Sequence, residues 1–200
     1  MRPRDIPHTL AKQLGAVYAL LILCILIRPV GLGANEGFSY YGNYKLTIIP
    51  YAAAFVLYAY GLWKTSEAIG AKTYSAKAIM FSLRAMAIFL VGLVVTPSDL
   101  IDGWHTVFGA SLFALQLVIS IFIAGWLMRR RLTIGLTLVE FLAGLLSFYY
   151  LPKTHGALLE SQALFQIAFG VLLLAYLHYF LSHHSLNNPR HDKNFHVTPL

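Results

Sequence analysis

Three side chains near the middle of the chain stand at a spacing that could do chemistry. Asp99, Asp102 and His105 follow one another at intervals of three residues, so a chain that coils there brings them to one face. Two carboxylates and an imidazole can ligate a divalent metal or activate water by general acid–base catalysis. The same residues also suit the start of a helix. Ser98, Asp99 or Asp102 would cap it, and the aspartates match the positive end of its dipole. Spacing alone leaves both readings open. Glu36, Ser39, His155 and Glu160 are expected at the same level, where His155 could add a metal ligand.

A second pair of polar residues falls where apolar sequence surrounds it. Glu140 lies nine residues past Arg131, roughly 13 Å along a helix, and Arg84 lies seven past Lys77, roughly 10 Å along another. Their similar depth and opposite sign suggest an ion pair, as a clamp between helices or a proton or ion relay; the alternative is independent snorkelling, easier for Arg84 than for Glu140. The histidines divide between two levels. His105 and His155 stand at one end of their segments, while His178, His183 and His184 stand at the other, so no pair is placed to hold a haem inside the hydrocarbon. His191 and His196 belong to a polar tail, read as a solvated segment.

The elements that must position these residues are apolar. The chain has 200 residues, 58% hydrophobic and only 12% charged, about half the charge of a soluble domain. One cysteine, Cys24, excludes an internal disulfide. Six stretches, at about 13–33, 46–63, 76–96, 104–128, 132–151 and 156–182, are long and apolar enough to cross or nearly cross a bilayer as helix. Runs such as LVISIFIAGWLM are apolar on every side, unlike the alternation of a membrane β-barrel. The expected fold is therefore an all-α integral membrane bundle over residues 13–182, with an arm at 1–12 and a polar histidine-containing tail at 183–200. Pro29, Pro97 and Pro152 end the odd-numbered helices, which reads as three consecutive hairpins. Arg28 and Pro29 interrupt the approach to any signal-peptide cleavage site, so the first helix is expected to stay.

Basic residues give the orientation. Eleven of the 15 Lys and Arg, from Arg2 to Lys193, fall at one face, whereas only Arg28, Lys45 and Lys153 fall at the other. The positive-inside rule then places both termini in the cytosol, in a multi-pass protein of the plasma membrane. The net charge of +7 is accounted for by these loop ends and by contact with anionic lipid. Nucleic acid is excluded as a partner.

The order of motifs has a parallel. An outer loop GANEGFSYYGNY follows the first helix, and TPSDLIDGWHTVFGA joins the third to the fourth. In this the chain resembles six-span membrane proteins of the damage-regulated autophagy modulator and GPI-anchor-remodelling type, with their bacterial relatives. That resemblance implies a six-helix fold, a link to lipid or membrane homeostasis, and Ser39, Asp99 or Asp102, and His105 as outer polar positions. It implies no reaction. A likeness to seven-span ceramidase-type hydrolases fails, because His105 and His178 fall at opposite ends and no H-x-x-x-H occurs.

The expected role is a non-catalytic one, in contact with membrane lipids, other membrane proteins or a second copy. No cofactor is called for. Two alternatives stand beside it: an outward-facing metal-assisted hydrolase using Asp99, Asp102 and His105, and a solute or proton-coupled transporter using Arg84 and Glu140.

Overall fold

The computed structural model describes residues 6–34, 36–69, 73–96, 103–128, 130–150 and 157–186, with side chains in the last segment up to Ser182. These residues are helical throughout, with no strand among them. Six long helices follow in order: α1 (Ile6–Ile27), α2 (Ile48–Ile69), α3 (Tyr74–Val95), α4 (Trp104–Phe122), α5 (Arg131–Tyr150) and α6 (Leu158–Leu186). Two 3-10 segments, Pro29–Gly33 and Gly37–Asn43, lie between α1 and α2, and a π-helical turn, Ile123–Leu127, prolongs α4. Five of the helices are long and apolar enough to cross a membrane: α1, α3, α4 with its π turn, α5, and α6 as far as Ser182.

α2 is not among those five, although it has 22 residues like α1 and α3. Its last turns carry Lys64, Thr65, Ser66 and Glu67, which lower its hydropathy without ending the helix. Thr65 and Ser66 are buried, and Ser66 Oγ donates to the Trp63 carbonyl at 2.7 Å. α1 starts at Ile6 rather than near residue 13, because Ile6 and Leu10 extend the buried stripe of Leu14, Val17 and Leu21. That stripe keeps the spacing of one helix face. α6 likewise runs to Leu186, beyond the expected end of the bundle.

α2 packs along both α1 and α3, α3 along α4, and α5 along α6, while α4 and α5 meet over a shorter stretch. One core of leucine, isoleucine, methionine and aromatic side chains runs through α1, α2, α3, α4 and α6. α5 contributes differently. Its buried face is Thr133, Glu140, Ala143, Gly144 and Ser147, and its exposed face includes Leu138, Phe141, Leu142, Leu145 and Phe148. Apolar outside and small or polar inside is the distribution that lipid favours, since it lets backbones approach and places hydroxyls against a neighbouring helix. Ser147 and Ser161 meet between α5 and α6 at 2.8 Å.

Candidate functional site

The connection between α1 and α2 is built to hold one short segment still. At Gly37, φ is +57° and a Cβ would collide with the Gln162 side chain of α6, so only glycine fits there. The next amide, Phe38 N–H, donates to Gln162 Oε1 at 3.0 Å. Tyr41 is almost wholly buried, and its carbonyl accepts from Thr47 Oγ1 at 2.7 Å. On the other side, Arg28 Nε donates to the Tyr40 hydroxyl at 2.8 Å and its guanidinium lies 3.5 Å from the centre of the Tyr44 ring. That bond holds the Tyr40 phenol below its ordinary value, whereas Tyr44, bonded to Tyr40, is pushed up. Ser39 stands inside this clamped segment.

His105 approaches from the mouth of the α3–α4 pair. It lies in the first turn of α4, whose N-cap is Gly103 with no side-chain cap. Gly103 has φ +86°, and the expected capping residues Ser98, Asp99 and Asp102 lie outside the described residues. α3 ends at Thr96, whose hydroxyl folds back to the Gly92 carbonyl at 2.7 Å. The Thr96 carbonyl lies 2.7 Å from His105 Nδ1, and Ser39 Oγ lies 2.6 Å from His105 Nε2. A carbonyl can only accept, so Nδ1 carries the hydrogen. A neutral ring then offers its Nε2 lone pair, and the serine hydroxyl donates to it.

The resulting order is hydroxyl, imidazole, fixed acceptor. It is the arrangement in which a base can take a nucleophile's proton while a third group sets the base's tautomer. A cavity of about 120 Å³ opens beside the pair, lined by Ser39, His105, Asn43 and Tyr51 together with Ile48 and Leu93. The buried Tyr51 hydroxyl faces Ser39.

No family model, curated protein or solved structure matches the chain. The site must be read from its own atoms.

Of the expected outer cluster, Ser39 and His105 come together. Glu36 is exposed and accepts from Asn43 Nδ2 at 3.3 Å, and Glu160 is exposed in the first turn of α6. Asp99, Asp102 and His155 lie outside the described residues. Both ring nitrogens of His105 face protein partners in this arrangement. Among the described residues, no group of three His, Cys, Asp or Glu side chains could hold a metal ion.

The expected pairing of Arg84 with Glu140 is also corrected. Arg84 Nε donates to Ser66 Oγ at 3.2 Å, and its guanidinium lies 5.3 Å from the Trp63 ring centre. The polar end of α2 has captured it, since a long guanidinium side chain reaches toward the helix end rather than into the core. Glu140 is fully buried, and neither of its oxygens has a hydrogen-bond partner. A third feature carries no charge. Gln116 of α4 and Gln166 of α6 exchange two hydrogen bonds of 2.9 Å, with the Tyr58 hydroxyl of α2 3.4 Å from both Gln116 Nε2 and Gln166 Oε1. An amide in the middle of an apolar run is the sequence signal for such a tie.

Proposed function

We propose that this chain is a six-span membrane protein whose Ser39–His105 pair hydrolyses or transfers the acyl group of a lipid-type ester. The observation that carries the proposal is the 2.6 Å contact from Ser39 Oγ to His105 Nε2, with Nδ1 held by the Thr96 carbonyl. The apolar run of α3 stops at Val95 and that of α4 begins at Trp104. The pair therefore stands where hydrocarbon gives way to headgroups, at the depth of lipid ester carbonyls. The resemblance to lipid-remodelling six-span proteins, which implies no reaction, includes both residues among its outer polar positions, with Asp99 or Asp102.

In the reaction, Ser39 Oγ attacks the ester carbonyl while Nε2 takes the hydroxyl proton. The imidazolium returns that proton to the departing alkoxide, leaving an acyl-serine. Water, activated by the same nitrogen, or a second alcohol then releases the acyl group. The Tyr51 hydroxyl is the donor placed to meet the oxyanion. This scheme uses a serine nucleophile and an imidazole base, and so differs from the metal-assisted one built on Asp99, Asp102 and His105.

The six-span count rests on α2, which at 22 residues is about 33 Å long and lies between α1 and α3. Three hairpins in series, cytosolic termini and a plasma-membrane location complete the reading. They follow from the proline positions and the basic residues.

A fluorophosphonate probe on the purified protein in lipid nanodiscs tests the chemistry. The probe should attach to the Ser39 peptide, and Ser39→Ala should abolish the adduct. His105→Gln should slow labelling by about 10²–10⁴-fold without changing the thermal melt. If the wild type stays unlabelled and turns over no ester in a panel of phospholipids, the Ser39–His105 bond is a tie between loop and helix and the proposal fails.

A further inference from the structure

Glu140 and Ser120 face each other across the α4–α5 seam, and neither carboxyl oxygen of Glu140 nor the hydroxyl of Ser120 has a hydrogen-bond partner. Both residues are fully buried. The groups that face the carboxyl are Ser120 from α4 and Tyr58 from α2. α6, packed along α5, carries Glu160 and His178 exposed, and its Tyr176 is buried with no charge beside it. Arg84 is held by Ser66 and Trp63, and the one ion pair among the described residues is Lys64–Glu67. An ionised carboxylate with no cation and only a hydroxyl facing it is strongly disfavoured in such a setting.

A way in lies alongside. Between α4 and α5 a groove of about 550 Å³ opens, lined by residues that include Ile121, Gly125, Thr137, Leu138 and Phe141. Ile121 follows Ser120 in the chain, and Leu138 and Phe141 flank Glu140. The π turn Ile123–Leu127 at this end of α4 carries Gly125.

We propose that Glu140 is a proton-binding site inside the bundle, its proton shared with Ser120 Oγ and exchanged by way of the α4–α5 groove. The carboxylic acid donates O–H to the serine oxygen. On release, the proton passes to a water molecule that must enter along this apolar, lipid-facing groove, and the carboxylate remains on Glu140. The site is independent of the Ser39–His105 pair.

Carbodiimides distinguish a buried protonated carboxyl from exposed carboxylates. The protein in nanodiscs is treated with dicyclohexylcarbodiimide, and adducts are mapped by peptide mass spectrometry. The adduct should form at Glu140 and decline by about tenfold for each pH unit above the group's titration. A water-soluble carbodiimide should instead modify Glu36, Glu67 and Glu160. Infrared spectra should show an acid carbonyl band that Glu140→Gln removes. Gly125→Leu, which narrows the groove, should reduce the adduct and leave that band in place. No adduct at Glu140 between about pH 5 and about pH 9, with an unaltered helical spectrum, would overturn the proposal. So would an infrared spectrum without the acid band, or unchanged labelling of Gly125→Leu.

Discussion

Replacing Gln116 with leucine keeps the size of the side chain and removes its hydrogen bonds, so it isolates what the amide pair contributes. Leucine at 116 deletes both 2.9 Å bonds to Gln166 and the 3.4 Å contact of Nε2 with Tyr58. Gln166 is then left with only the Tyr58 hydroxyl, 3.4 Å from its Oε1. Interhelical hydrogen bonds in membrane proteins average about 0.6 kcal/mol and reach about 1.7 kcal/mol. Two good bonds, with an amide left partly unsatisfied in the core, set the expected destabilisation at about 1–3 kcal/mol. Gln166→Leu should cost a similar amount for the same reason. The double variant has no orphan amide, so its cost should fall short of the sum by about 1–2 kcal/mol. The assay is an equilibrium unfolding titration in mixed micelles on all four members of the cycle. Additivity within about 0.3 kcal/mol would refute the reasoning, because two groups that exchange hydrogen bonds cannot be energetically independent.

Two further outcomes follow from close contacts and from the clamped loop. A Cβ at Gly92 would stand 2.8 Å from the Phe108 ring, whereas nothing lies within 4 Å of one at Gly15. Gly92→Ala should therefore destabilise by about 1–3 kcal/mol, while Gly15→Ala in α1 should stabilise by about 0.5–1 kcal/mol, both read in the same titration. In the loop, the Arg28 bond lowers the Tyr40 phenol from its ordinary 10.0. Folding thus favours the phenolate, a contribution present above the ordinary value and lost as pH falls through the folded one. Phenolate absorbance should show one tyrosine ionising early, and Arg28→Gln should abolish that early phase.

The helices were legible because lipid demands long apolar runs, and the structure keeps most of them. Their ends were less so. α2 continues through Lys64–Glu67 with Thr65 and Ser66 buried and Ser66 Oγ bonded to the Trp63 carbonyl and Arg84 Nε, which hydropathy does not register. Charge also misled at Arg84 and Glu140. Equal depth makes two residues level, but which face of its helix each occupies depends on packing between helices distant in sequence. Ser39 and His105 were each visible as polar positions, yet their contact spans 66 residues and depends on Gly37 and Gln162 fixing the loop. Gln116 and Gln166 were legible in principle. Each interrupts an apolar run with a group that needs a partner, and reading only for charge passes over them.

The separation of Arg84 from Glu140 has a consequence for how the bundle works. A paired arginine would neutralise the carboxylate permanently and make it a clamp. With Arg84 tied to the end of α2, no charged group among the described residues pairs with Glu140. The α4–α5 seam is also where the helices meet over the shorter stretch, while the amide pair joins α4 to α6 and the serine pair joins α5 to α6. α6 therefore ties both helices through side-chain hydrogen bonds, and Thr137 Oγ1 of α5 adds a bond to the Ser120 carbonyl of α4 at 3.3 Å.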